Sequence, residues 1–221
     1  VADGLVRLRA GPFLRVGLLV IAGLLLALLL SSGLWDSISF MKEYQGRADS
    51  FWNEAQRHIA LALGSLLAAT IVGIPLGLVC HRVPKLRAFV LNSLNIVQTI
   101  PSMALFGILI APLSWVATQF PWVGALGIRG IGAAPAFVAL FLYSLLPIVA
   151  NTVAGLAQVP EPVTDAARGM GMTRLQRLFK TEFPLAFPVI LTGIRIVMVQ
   201  NIGLTTIAAL IGGGGFGTFV F

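Results

Sequence analysis

The sequence predicts an all-α membrane protein, a polytopic helical bundle, and three observations predict it. Hydrophobic residues make up 57% of the 221 and charged residues only 10%, whereas about a quarter of a soluble domain is charged. Mean hydropathy is +0.94, so the bilayer is the solvent and one helical membrane domain is the expected unit. The apolar runs approach the ~20 residues a spanning helix needs, and the basic residues fall in short clusters between them. That scattered placement turns the net charge of +7 into topology and argues against a nucleic-acid partner.

Arg7, Arg9 and Arg15 precede the run 16–30, which reads as a signal-peptide h-region leaving through Ser31, Ser32 and Gly33, or as an uncleaved first helix. Apolar character continues to Leu34, and the uncleaved helix is the expectation. The chain opens on Val rather than Met, so sequence ahead of it is expected to be absent. Residues 37–57 are polar and mixed in charge, with Trp35 and Trp52 as interfacial anchors, and predict an external loop. Helix two is expected at 59–80, where Pro75 is tolerated if neighbours satisfy the freed carbonyl. A basic turn, 81–87, follows.

Helix three is expected at 89–112, with Asn92, Asn95, Gln98, Thr99 and Ser102 in its first half and Pro101 at its middle. Polar groups inside a span must face protein or water. Residues 113–130 carry Trp115, Trp122 and Arg129. Helix four is expected at 133–154, broken by Pro147, with Asn151 and Thr152 beyond the break. Helix five is expected at 186–211, and a glycine run, 212–217, follows. The start of another apolar run before Phe221 leads to the expectation that a sixth helix is missing from the sequence.

The stretch 159–188 is the long polar interruption of the apolar blocks, with four of the fifteen basic residues. Pro162 suits a first helical turn, and Glu161 and Asp165 lie near the positive end of that helix's dipole. Val159, Val163, Ala166, Ala167 and Met170 keep the spacing of one helical face until Gly169, Met170 and Gly171 interrupt it. Thr173 and Gln176 then have the form of a capping box. Leu175, Leu178, Phe179 and Phe183 form one stripe, and Arg174, Arg177 and Lys180 another. Pro184 is expected to end this second helix. Two readings stand: an amphipathic linker on anionic headgroups, or a docking element. Ala166, Ala167 and Gly171 favour docking, because they remove bulk where a lipid-facing helix would carry Leu or Phe.

Lys and Arg number ten at the N-terminus, the 81–87 turn and the 159–188 loop, against Lys42, Arg47, Arg57 and Arg129 on the other side. This asymmetry places the 159–188 loop in the cytoplasm. Arg195 lies inside helix five, as a structural anchor or as a contact for a substrate carboxylate. Gly212, Gly214 and Gly217 match G-x-G-x-x-G but follow a spanning helix instead of a strand, and no Gly-Lys pair offers a P-loop. No G-x-S-x-G or H-E-x-x-H is present either, so a non-enzyme is expected. His58 and His81 have no second ligand near in sequence, so neither metal nor cofactor is expected. Cys80 is alone, which excludes an internal disulfide.

The segment Asp165-Ala166-Ala167-Arg168-Gly169-Met170-Gly171 resembles the EAA loop of ABC importer permeases, with Asp165 where that family usually has Glu. That change keeps the charge and shortens its reach. Gln98-Thr99-Ile100-Pro101-Ser102, residues 142–148 with Asn151 and Thr152, and residues 211–217 sharpen the likeness toward permeases for osmoprotectants such as glycine betaine, choline and carnitine. The likeness covers 58–221; residues 1–57 are an extra helix and its loop. It implies a MetI-like fold in a bacterial cytoplasmic (inner) membrane. It also implies two cytoplasmic ATPase subunits, a second permease subunit, identical or related, and an extracytoplasmic solute-binding protein, with lipid around the spans.

On this likeness Glu161, Asp165, Ala166, Ala167, Gly169, Gly171, Met172 and Arg174 couple to the ATPase. Gln98, Thr99, Pro101, Ser102, Tyr143, Asn151 and Thr152 are candidates to line the pathway. The polar ones equally suit hydrogen bonds between helices, worth about 0.6 kcal/mol each. A permease for another small solute such as an amino acid, an ion-driven secondary transporter and a plain membrane scaffold are the competing functions. The scaffold leaves the polar stripe and the small-residue bend unexplained.

Overall fold

The computed structural model describes residues 12–32, 42, 46–125 and 127–221; Arg7, Arg9, Gly33, Leu34 and Trp35, on which part of the N-terminal reading rests, lie outside them. The chain divides into two compact units, Val1–Phe51 and Trp52–Phe221. In the first, α1 (Pro12–Ser31) is a 20-residue helix whose described side chains are apolar and mostly exposed. A helix apolar all round is built for lipid or for a partner helix.

Helices α2 (Ala48–Arg82), α3 (Pro84–Thr99), α4 (Ser102–Gln119), α5 (Pro121–Ala125), α6 (Ala133–Ala157), α7 (Glu161–Gly169), α8 (Arg174–Arg177) and α9 (Phe183–Ile207) follow. Short 3₁₀ turns close the chain at Ala208–Ile211 and Phe216–Phe219. Among the described residues there is no strand. Ala48–Arg82, Ser102–Gln119, Ala133–Ala157 and the continuous helix Arg174–Ile211 are each long and apolar enough to span.

Helix α6 is the centre: 13 of its 25 residues are buried, while α3 buries none. It is approached through glycines. A Cβ on Gly73 would lie 2.8 Å from Ile148 Cγ2, and one on Gly77 only 2.6 Å from Thr152 Cβ, so α2 packs on α6 at close range. A Cβ on Gly155 would meet the Ala186 carbonyl at 2.8 Å, which fixes α9 on the other side. Small residues at such seams let backbones come close where lipid offers no hydrophobic drive.

Packing at the helix ends sets the directions. Cys80 near the end of α2 packs with Val149 and Val153 near the end of α6. At the other end, His58 of α2 lies 3.1 Å from the Ile202 carbonyl near the end of α9, and Gly132 N–H donates to Ile211 O at 2.9 Å. So α2 and α6 run parallel and α9 runs against them. Val90, Leu91 and Leu94 of α3 join the Cys80 end, while Leu105 and Phe106 of α4 pack with Ala136, Ala139 and Leu140 at the start of α6. Helices α3 and α4 therefore make one crossing between them.

That crossing departs from the expected single helix 89–112. It starts at Pro84, which suits the first turn, breaks at Ile100 and Pro101, both extended, and resumes to Gln119. Pro75, Pro112, Pro147 and Pro188 lie inside continuous helices. Tertiary contacts hold the break: Tyr143 Oη donates to Ile100 O, and Gln98 Nε2 donates to Tyr143 O at 2.9 Å. Tyr143 sits near the middle of α6, so the broken backbone is at mid-depth, where freed carbonyls must find a partner inside the protein.

Helix α2 also begins eleven residues before the expected 59, and the segment 48–57 is helical, not loop. Two contacts hold this first stretch. Ala55 is buried, and Glu54 accepts the Gly215 N–H at 2.5 Å, so the glycine run 212–217 folds down on it.

A buried amide ties the bundle at its heart. Asn201 of α9 is fully buried and its Nδ2 donates to Ser65 Oγ of α2 and Ser144 Oγ of α6, each at 3.0 Å. Asn201→Leu is expected to lower folded-state stability by about 1–2 kcal/mol, two interhelical bonds at membrane values. The midpoint of unfolding in a denaturing detergent titration checks it.

Candidate functional site

Between α6 and α9 the chain builds the two-helix element expected from 159–188. Pro160 is extended and caps α7, with Glu161 in the first turn and Pro162 where its missing N–H costs nothing. Ala167 is 1% exposed on the inner face. The helix ends in a Schellman motif: Gly171 N–H donates to Arg168 O at 2.9 Å and Met172 N–H to Ala167 O at 3.1 Å. Gly171 holds φ at +79°, the left-handed region that glycine enters without steric cost.

The next helix starts as the sequence predicts. Thr173 N–H donates to Gln176 Oε1 at 2.9 Å, and Gln176 N–H to Thr173 Oγ1 at 3.3 Å, a reciprocal capping box. The expected stop at Pro184 is corrected by the structure. Helix α8 passes through a π turn at Leu178–Glu182 into α9, and the helix is continuous over Arg174–Ile211. A proline lacks an N–H and crowds the carbonyl one turn back; the wider π turn falls in that turn and takes up the mismatch.

The expected coupling residues divide by face. Glu161, Asp165, Ala166, Gly169, Gly171 and Arg174 are exposed, Met172 is half-buried and Ala167 is buried. Met172 Sδ lies 3.8 Å from Thr181 Oγ1 and so ties the turn to the π segment. Cβ atoms at Gly169 and Gly171 would meet nothing within 4 Å, so the outside of the bend is open space. Met170 and Leu175 flank it, 70% and 65% exposed. Asp165 and Arg168 pair at 3.0 Å in the open, a geometry of little net worth. Arg177 and Glu182 pair at 2.6 Å where both are largely shielded.

The expected pathway residues are not all on one surface. Tyr143 and Thr152 are buried, and Gln98, Ser102 and Asn151 are half-buried. Thr152 Oγ1 and Asn151 Nδ2 donate to carbonyls of their own helix, and Gln98 and Tyr143 hold the α3–α4 break. Thr99 and Pro101 are exposed, in line with Asn92 and Asn95 on α3. Arg195 of α9 is also exposed. Sequence reading missed three contributors. The triad Asn201, Ser65 and Ser144 had a signal, an amide inside an apolar run. Glu54 and His58 on the glycine run had none, since their partners lie 161 and 158 residues away.

Residues 69–221 match the family described as binding-protein-dependent transport system inner membrane component. Residues 1–41 match the N-terminal domain of the ABC transporter permease YehY. The osmoprotectant import permease protein OsmW of Salmonella typhimurium is 44% identical over 182 residues, 82% of this chain and 78% of that protein. OsmY of the same organism is 42% identical over 169 residues, 75% of this chain and 64% of its own length. The choline transport system permease protein OpuBB of Bacillus subtilis is 37% identical over 164 residues, 74% and 68% of the two chains. Among solved structures, an inward-facing form of the MetNI methionine ABC transporter aligns with a TM-score of 0.61 at 23% identity, covering 76% of this chain and 77% of that one.

Proposed function

The chain belongs to the binding-protein-dependent transport system inner membrane components, and from that premise we propose that it is the permease subunit of an ATP-driven importer of osmoprotectants of the glycine betaine, choline and carnitine class. The observation that carries the coupling half of this reading is the loop itself: a capped, left-handed bend with an open glycine face, followed by a helix that runs on into a membrane span. The names of relatives 37% to 44% identical support the substrate class.

In this reading two cytoplasmic ATPase subunits each grip one such loop. Ala166, Gly169 and Gly171 give the partner close approach, Glu161, Asp165 and Arg174 give it charge, and Ala167 and Met172 hold the bend from beneath. The ten-to-four excess of basic residues supports a cytoplasmic loop. ATP hydrolysis belongs to the partner chain, and a separate extracytoplasmic binding protein delivers the solute. Residues 1–57, which hold α1 and the first turns of α2, stand ahead of the 58–221 core.

The pathway is assigned to the face of α3 that this chain leaves open. Asn92, Asn95 and Thr99 are exposed there, and polar groups at membrane depth require a partner or water. A second permease subunit facing this stripe supplies both. Pro101 and Ser102 at the break line the same path, while Gln98, Tyr143, Asn151 and Thr152 position it. Arg195 faces outward on α9 and suits a carboxylate such as that of glycine betaine or carnitine.

The test is uptake of labelled glycine betaine and choline by proteoliposomes holding the purified complex. Uptake is expected to need ATP and to survive collapse of ion gradients. Uptake that instead follows an ion gradient without ATP, or a purified complex with no ATPase subunit, sinks the reading.

A further inference from the structure

Four guanidinium groups converge where the coupling loop meets the membrane helices. Arg82 at the end of α2, Arg168 at the end of α7, and Arg174 and Arg177 of α8 line a cleft of about 410 Å³. An adjoining cleft of about 330 Å³ shares Arg82, Arg168 and Arg177 and adds His81, Glu161 and Glu182. The counter-charge is partial. Arg177 is neutralised by Glu182 and Arg168 by the exposed Asp165. Arg82 and Arg174 have no carboxylate within ion-pair distance among the described residues. Cations gathered at the edge of an apolar layer repel one another more strongly than in bulk water, and an anion between them relieves the cost. Guanidinium forks fit the oxygens of a phosphate.

The source of the anion follows from position. Arg82 closes a helix long and apolar enough to span, and Arg174 and Arg177 open another. On that second helix Phe179, Leu185 and Phe187 are 64%, 51% and 44% exposed, beyond the arginines in the direction of the membrane. A basic cleft at the ends of two helices long and apolar enough to span stands at the level where headgroups lie. We propose that the cleft lined by Arg82, Arg168, Arg174 and Arg177 binds the phosphate of an acidic phospholipid and so bridges the end of α2 to the coupling loop. The site is independent of which solute is carried.

The experiment uses the purified complex in nanodiscs of phosphatidylcholine with a minor fraction of phosphatidylglycerol, reading the lipid retained on gentle release by native mass spectrometry. The wild type is expected to keep phosphatidylglycerol in preference to phosphatidylcholine. R82Q is expected to lose roughly fivefold of that preference, from one basic residue worth about 1 kcal/mol at an anionic surface, and R82K to keep most of it. Chain stoichiometry measured on the same samples shows that the R82Q complex is assembled. Equal retention of both lipids, or unchanged retention in R82Q, overturns the proposal. Displacement of the lipid by millimolar inorganic phosphate assigns the cleft to a soluble anion and overturns the lipid assignment. Protection of the arginines from chemical modification only when the ATPase is bound, in lipid-free detergent, assigns it to acidic side chains of that partner and overturns it too.

Discussion

Gly171→Asp is expected to leave the chain inserted and purifiable while lowering ATP-driven uptake by roughly tenfold, the effect of about 1.4 kcal/mol on a coupling equilibrium. Two facts separate folding from function here. Gly171 holds φ at +79°, a region that Asp enters more readily than other side chains, so the Schellman bend tolerates the change at a cost of about 1–2 kcal/mol at most. A Cβ at this position meets nothing within 4 Å in the chain itself, so the new carboxylate projects into the open face proposed for the ATPase. Gly171→Asn, with similar backbone tolerance and no charge, is the control and should retain more uptake. Uptake per inserted permease, with copurified ATPase quantified, reads the result; normal transport by Gly171→Asp would refute the docking role.

Gly193→Leu is expected to do the opposite, failing at assembly before transport. A Cβ on Gly193 would stand 2.8 Å from Asn151 Cβ and 2.9 Å from the Pro147 carbonyl, and a backbone atom cannot step aside as a flexible side chain can. Separating α9 from α6 along this seam costs about 1–3 kcal/mol or more for an overpacked core. It also presses on the Asn151 amide that donates to Pro147 O at 2.8 Å. The yield of monodisperse protein in detergent and its unfolding midpoint should both fall. Gly203→Leu is the control on the same helix, since a Cβ there meets nothing within 4 Å. Equal stability of the two variants would mean that α6 and α9 are not packed as described.

The parts of the molecule legible in its sequence are those whose physics is local. The capping box of Thr173 and Gln176, the entry at Pro162 and the bend at Gly171 each depend on a few neighbouring residues, and each stands where the sequence places it. Prolines were legible as sites of weakness but not as breaks. Pro101 ends a helix where Tyr143 Oη takes the freed Ile100 carbonyl from afar, while Pro147 stays within α6, with the Tyr143 carbonyl one turn before it taken by Gln98, and Pro184 stays within a continuous helix. Whether neighbours repair the lost hydrogen bond is a tertiary fact. The same holds for polar residues inside spans: Asn201 meets Ser65 across 136 residues of chain and Ser144 across 57. Such separations carry no periodic trace. Thr152 and Asn151 are polar groups inside a span whose donors go to carbonyls of their own helix, a pairing that spacing alone does not reveal.

A rod running unbroken from Arg174 to Ile211, 38 residues in length, measures about 57 Å at helical rise. Tilting it by roughly 5° about one tip sweeps the other through roughly 5 Å by geometry alone, a movement on the scale of a small organic molecule. The swept tip carries the glycine run clasped by Glu54 and His58. On the proposed coupling, length acts as gearing: a slight rotation at the Arg174 end emerges at the Ile211 end magnified, with the widened turn at Leu178–Glu182 as a point of compliance in the shaft.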